Sequence, residues 1–271
     1  MSTTIVQCAP ELRRILQVAV EAAQAAGAVI REAASASRRS EESFKGHNDV
    51  VTETDRRSQQ LIELTIKRSF PKHELIGEET HTGPVIQSGS GYRWIIDPVD
   101  GTTNFVHRFP PYAVSIGVMR DEQFVVGVVL NVPMDELFTA ALGDGAYLDG
   151  QPIHVSSTQQ LSDALICTGF PERSFEQLDR LLQIQSRVMR SCRGLRRPGA
   201  ASVDLANTAC GRIEGFYEEG LRAWDVAAGA VLIREAGGIV TNFGGGDELF
   251  ESRSILASNG AVHRELLDCL S

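Results

Sequence analysis

From Pro10 to about Ala36 the apolar residues Leu12, Leu16, Ala19, Ala23 and Ala26 recur at steps of three and four, with Arg13, Arg14 and Glu21 between them. That spacing predicts an amphipathic helix with one dry face. A second helix is predicted from about Thr54 to Phe70, with Leu61, Ile62, Leu64 and Ile66 turned inward. Pro71 ends it, because proline lacks the amide that would continue the ladder. Beyond it the period shortens. Tyr92–Ile96, Ala113–Met119, Phe124–Leu130 and Glu136–Ala141 are β-favouring runs separated by turn residues. The passage from Met119 through Arg120, Asp121, Glu122 and Gln123 to Phe124 predicts an antiparallel hairpin. Gly143–Gln151, with its two Asp-Gly pairs, predicts a further turn region. The Gly- and Ser-rich loop Thr80–Gly91 is a candidate mobile segment.

After that the pattern alternates. Ala164–Thr168 reads as strand, Phe175–Cys192 and Ala200–Cys210 as helices, Gly215–Tyr217 as strand and Val226–Ala236 as helix. Ile239–Asn242 and Ser254–Ser258 then read as strands. Alternation of this kind points to α/β layering. A boundary near Ser156–Leu161 divides the chain into residues 1–158 and 159–271, yet no Pro- or Ser-rich linker marks it, so the two halves are expected to share one packed body.

Composition narrows the partners. With 26 Lys and Arg against 35 Asp and Glu, the 271-residue chain carries a formal charge of −9. Nucleic acid is held mainly by clustered basic side chains, so direct binding to it is not expected. Five scattered cysteines without a C-x-x-C pair suit a reducing compartment rather than a disulfide framework or zinc site. Cys167 and Cys210 fall in apolar surroundings and read as core. The start of the chain shows no signal-peptide pattern, and apolar runs such as Phe124–Leu130 stop far short of the roughly 20 residues that span a bilayer. A soluble, cytoplasmic protein is expected.

Candidate chemistry concentrates in Asp97-Pro98-Val99-Asp100-Gly101-Thr102-Thr103-Asn104. A strand delivers Asp97, Pro98 sets a turn, and Asp100 follows on the same side. Two carboxylates aimed at one point repel each other unless a cation lies between them, and hard divalent cations prefer oxygen. Taken alone, the stretch is equally a Pro-x-Asp-Gly turn ending a strand. Glu78 and Glu79 follow the apolar pair Leu75-Ile76; Asp225 opens a helix, where an N-cap is the ordinary role. Asp49 to Asp55 leads into the second helix, where Thr and Asp are again ordinary caps.

In this order and spacing, the four segments resemble the inositol monophosphatase family of magnesium-dependent, lithium-sensitive phosphatases. The most diagnostic are Asp97–Asn104 and Trp224-Asp225-Val226-Ala227-Ala228-Gly229 with Glu235-Ala236-Gly237-Gly238. The resemblance implies a layered αβαβα sandwich, an α+β half with a largely antiparallel sheet joined to an α/β half, with the site at their junction. It implies two to three Mg²⁺ ions: one on Glu78, Asp97 and the carbonyl of Val99, a second between Asp97, Asp100 and Asp225, and a weaker third near Glu78. Thr102 and Asp55 would form a hydroxyl–carboxylate pair that, with Glu78, orients and deprotonates the attacking water.

The amides of Gly101 and Thr102 would hold phosphate, the segment Arg197-Pro198-Gly199-Ala200-Ala201 and Glu218 would contact the alcohol, and Asp100 and Asp225 would also bind substrate. Glu218 has an acidic neighbour, Glu219, and one of the two reads equally as a solvated face. Lys45 matches a family lysine near the metals or an exposed loop residue, and His107 reads as surface. Thr103, where bisphosphate-nucleotide relatives carry Lys, favours inositol monophosphates as substrate. Fructose 1,6-bisphosphate is the alternative, with Arg196 and Arg197 facing either a second phosphate or solvent. The family also implies a homodimer, and some bacterial relatives bind the transcription apparatus.

Overall fold

A computed structural model describes residues 9–35, 42–46, 49–81, 91–170 and 177–271. The chain opens with α1 (Pro10–Ser35), the hairpin β1 (Glu42–Gly46) and β2 (Asp49–Thr52), α2 (Glu53–Ser69) and β3 (Glu74–Gly77). Next come β4 (Tyr92–Asp100), α3 (Thr102–His107), β5 (Ala113–Arg120), β6 (Gln123–Asn131), β7 (Glu136–Ala141), β8 (Gly145–Leu148) and β9 (Gln151–Ile153). The remainder holds β10 (Leu165–Thr168), α4 (Leu178–Ser191), β11 (Gly194–Arg196), α5 (Ala201–Ala209), β12 (Gly215–Glu219) and α6 (Ala223–Glu235). It closes with β13 (Ile239–Thr241), α7 (Leu249–Ser252), β14 (Ser254–Ser258) and α8 (His263–Leu270).

Two sheets organise these elements. β3 to β9 form a seven-stranded sheet in chain order, antiparallel except for the parallel pair β3–β4. The second has the order β11-β10-β12-β14-β13, with β10 parallel to both its neighbours and β14 antiparallel to both of its own. α1 and α2 cover the outer face of the first sheet, burying Ile15, Val18, Ala22, Ile62 and Ile66 against Trp94, Ile116 and Val128. α5 and α6 fill the space between the sheets with Leu205, Ala228 and Leu232. α4 and α8 close the far side with Ile184, Val188 and Leu266. Helices and sheets thus alternate in five layers, the expected sandwich. No helix among the described residues is long and apolar enough to cross a membrane.

Local departures from the sequence reading have physical causes. Leu64 is 51% exposed, because two residues past Ile62 the helix has turned about 200° away from its buried face. Leu16 is only partly buried, and Ile15 and Val18 take the centre of the dry face. The Gly143–Gln151 region holds a whole strand, β8, between its two turns. Most of the loop Thr80–Gly91, residues 82–90, lies outside the described residues, as do 171–176 at the expected start of α4.

One close approach brings the halves together. Gly117 and Gly127 face each other across β5 and β6, and α6 lies directly on them. A Cβ on Gly127 would stand 2.4 Å from the carbonyl oxygen of Ala228, and one on Gly117 would stand 2.5 Å from the Cβ of Ala227. The small residues Ala227 and Ala228 on these two glycines are therefore what lets the start of α6, with Asp225, reach the end of β4.

Candidate active site

β4 does not stop at Ile96. It continues through Asp97-Pro98-Val99 to Asp100, and a shift in its pairing with β5, from Asp97↔Ser115 to Asp100↔Ala113, inserts one extra residue. In a regular strand, residues 97 and 100 would point to opposite faces. The bulge re-phases the strand, so both carboxylates reach one cavity. The sequence reading placed a turn here, and the structure replaces it with this bulge. Gly101, at φ 83°, ends the strand, and no other residue suits the position: a Cβ would lie 3.0 Å from the carbonyl oxygen of Pro111 and 3.2 Å from that of Gly199.

Glu78 reaches the same place from β3. Its amide donates to the carbonyl of Ile96 at 3.0 Å, extending the parallel pairing by one step beside Asp97. Gln59 of α2 braces that turn, accepting from the Glu79 amide at 2.9 Å and donating to the Thr80 hydroxyl at 2.8 Å.

Asp55 is a cap with a second task. Thr52 is the N-cap of α2, and Asp55 Oδ2 accepts from the Thr52 amide at 2.9 Å and also contacts the Thr52 hydroxyl. Its other oxygen, Oδ1, accepts from the Thr102 hydroxyl at 3.1 Å. Thr102 Oγ1 also lies 3.0 Å from the carbonyl of Val99. Burial pushes the Asp55 carboxyl above its ordinary range, against the pull of its bonds from Thr52 and Thr102.

Two contacts enter from the other half. Asp225 is the third residue of α6 rather than its N-cap; Arg222 holds the cap, and its amide donates to Asp225 Oδ2 at 2.6 Å. Asp100 Oδ2 accepts from both the amide and the hydroxyl of Ser202, at 2.8 and 2.5 Å. Asn104 links the halves as well, donating through Nδ2 to the carbonyls of Pro111 at 2.8 Å and Pro198 at 2.9 Å.

These elements enclose a cavity of about 520 Å³. Its walls hold Glu78, Asp97, Val99, Asp100, Gly101, Thr102, Gly199, Ala201, Glu218 and Asp225, and Asp55 stands behind Thr102. Every residue singled out from the sequence as catalytic, metal-ligating or substrate-binding is therefore at one place. The acids act on one another strongly. Burial, then Glu78, Asp100, Asp225 and Asp55, push the Asp97 carboxyl well above its ordinary value. Glu218 is shifted the same way, by burial, Asp225 and Asp204, with Arg197 opposing. Its neighbour Glu219 also lines the cavity and pairs with Arg180 at 2.5 Å.

Both arginines are exposed, but only Arg197 lines the cavity, with its guanidinium carbon 5.9 Å from the Phe170 ring centre; Arg196 lies outside the lining. His107 is exposed, and Cys167 is buried with its thiol pushed up by burial. Lys45 falls on β1, and its side chain lies outside the described residues. Ser202, Asn104 and Asp204 were not singled out from the sequence. Ser202 and Asn104 act through bonds to residues about a hundred positions away, which no local pattern encodes.

Among the described residues, no three Asp, Glu, His or Cys side chains are grouped closely enough to cage an ion by themselves. The donors are hard oxygens on one wall, crowded to the point that burial and like charge oppose ionisation of Asp97. Such a set fits divalent cations and is costly without them.

The model of the inositol monophosphatase family matches residues 11–270. The chain belongs to that family. An inositol-1-monophosphatase of Mesorhizobium japonicum is 39% identical over 253 residues, covering 93% of this chain and 94% of its own. The Nus factor SuhB of Salmonella typhimurium is 41% identical over the same length, with the same coverage. Among solved structures, the extragenic suppressor protein suhB of Bartonella henselae superposes with a TM-score of 0.90 at 37% identity, over 95% of this chain and 98% of that one. Inositol monophosphatase family membership thus covers the whole sandwich, including both sheets that frame the cavity.

Proposed function

We propose that this family member is an Mg²⁺-dependent phosphomonoesterase that hydrolyses myo-inositol monophosphate to inositol and phosphate by direct attack of water. The observation that carries the reading is the convergence of Glu78, Asp97, Asp100 and Asp225 on one cavity beside the Thr102–Asp55 pair. Glu78, Asp97, the Val99 carbonyl, Asp100 and Asp225 would hold two to three ions. Bound there, such ions supply positive charge against the ester oxygens and raise the acidity of water.

The protein's own groups do the rest. Thr102 donates its proton to Asp55 or Val99, which turns its oxygen lone pairs outward to orient a water. This water gives up one proton, through the Thr102 hydroxyl to Asp55 or directly to Glu78, and the inositol oxygen takes one up from solvent as its bond to phosphorus breaks. Gly101, without a side chain, lets the phosphate come close to the amides at the loop, and Gly199, Ala201 and Glu218 face the alcohol. Ser202, whose hydroxyl bonds the Asp100 carboxylate, is fully buried and outside the cavity lining, which favours water over a covalent route.

Release of phosphate from inositol 1-phosphate with Mg²⁺, inhibited by Li⁺ and abolished by excess EDTA, is the expected result. Undiminished turnover in EDTA would overturn it. Parallel kcat/KM values for fructose 1,6-bisphosphate test the alternative substrate, to which Arg197 on the cavity wall lends support. Thr102→Ala is expected to lower kcat by about 10² to 10³, with KM little changed, because the lost bond orients the attacking water rather than the substrate. A change confined to KM would remove Thr102 from this role.

A second reading adds a partner. The name Nus factor carried by the Salmonella relative supports association with the transcription apparatus, compatible with catalysis. Co-purification with RNA polymerase tests it. Homodimerisation and a cytoplasmic location complete the proposal; light scattering and fractionation check them.

A further inference from the structure

We infer that Ser202 is a positioning residue that fixes the Asp100 carboxylate and thereby sets how tightly the acid cluster binds a divalent cation. The inference rests on the metal reading of the cavity. Asp100 sits at the last position of β4, paired with Ala113 past the bulge and just before the left-handed Gly101. The pairing holds its backbone, and two donors from one residue hold its side chain. The Ser202 amide at 2.8 Å and its hydroxyl at 2.5 Å both end on Oδ2. Such a two-point clamp fixes both side-chain torsions of Asp100 and with them the direction of Oδ1.

The clamp is rigid on its own side. Ser202 is fully buried in the first turn of α5, which packs between the sheets, so its hydroxyl has no solvent to exchange with. A bond from a neutral donor to a carboxylate at this length is charge-assisted and strong. Without it, repulsion from the neighbouring acids would turn Asp100 away from the cavity whenever no cation is present. Each binding event would then have to restore the geometry. The same bond draws electron density from the carboxylate, which works against cation binding. Orientation prevails because Asp100 is held against like charge.

The test is magnesium binding by calorimetry, together with the shift in unfolding temperature between EDTA and Mg²⁺, for the unmodified protein, Ser202→Ala, Ser202→Cys, Ser202→Thr and Asp100→Asn. Ser202→Ala is expected to weaken ion binding about tenfold, the scale of losing an outer-shell partner. Ser202→Cys, similar in size with only a weak donor, should behave like the alanine variant, and Ser202→Thr should restore most of the affinity. Asp100→Asn should lose more than either. A purely structural role would lower the unfolding temperature equally with and without the ion and leave the ion-induced shift unchanged. Ion binding by Ser202→Ala and Ser202→Cys within twofold of the unmodified protein overturns the inference alone. No binding by the unmodified protein overturns the metal reading, and the inference with it.

Discussion

Asp97→Asn is expected to lower phosphate release at least a hundredfold, while the protein in EDTA unfolds at a temperature no lower than the parent's. The two effects have separate causes. Asp97 feels the charges of Glu78, Asp100, Asp225 and Asp55, and its own is the one that two of the ions would share; loss of a direct ligand to both should exceed the ten- to hundredfold typical of outer-shell partners. Without ions that same charge is unfavourable, since it is buried and faces Glu78, Asp100, Asp225 and Asp55. Asparagine keeps the volume and the oxygen that accepts from the Val99 amide at 3.0 Å, and removes only the charge. Activity assays and thermal scans in EDTA and in Mg²⁺ read both effects. Near-normal activity would show that Asp97 is not a ligand; a lower unfolding temperature in EDTA would show that its charge is compensated in the fold.

Much of this centre was legible in the chain. The helix periods of α1 and α2, the strands β4 to β7 and the alternation of the second half follow from local pattern. The acids stand out because Glu78 follows β3, Asp100 ends β4, Asp225 lies in the first turn of α6 and Asp97 closes the apolar run Trp94-Ile95-Ile96. The bulge at Pro98 was hidden, because Pro-Val-Asp-Gly spells a turn as readily as a strand with one extra residue, and only pairing with β5 decides between them. On its own Asp225 reads as a cap because the helical pattern begins at Val226, three residues after α6 starts at Ala223. Trp224 carries no helical signal of its own, and its carbonyl is fixed from outside by the Ser115 hydroxyl at 3.2 Å. The bonds from Ser202 and Asn104 depend wholly on the meeting of the two halves.

That meeting can be disturbed without touching an acid. Gly127→Ala is expected to lower stability by about 1–3 kcal/mol, the range for overpacked cores, and to reduce turnover in the same variant. Its new methyl would meet backbone, 2.4 Å from the Ala228 carbonyl oxygen, as well as Val231 Cβ at 3.1 Å. No flexible side chain end is there to yield, so α6 must move away from the sheet as a body. Asp225 is in its first turn and would move with it, away from Asp97 on β4. Leu266→Ala, in the layer on the far side of the second sheet, separates stability from geometry. It should cost about 2–5 kcal/mol by opening a cavity, yet leave kcat unchanged at temperatures where the variant stays folded. Equal turnover in the two variants would mean that the cavity tolerates displacement of α6. Loss of turnover in Gly127→Ala alone would assign the catalytic geometry to the contact between this helix and the two glycines.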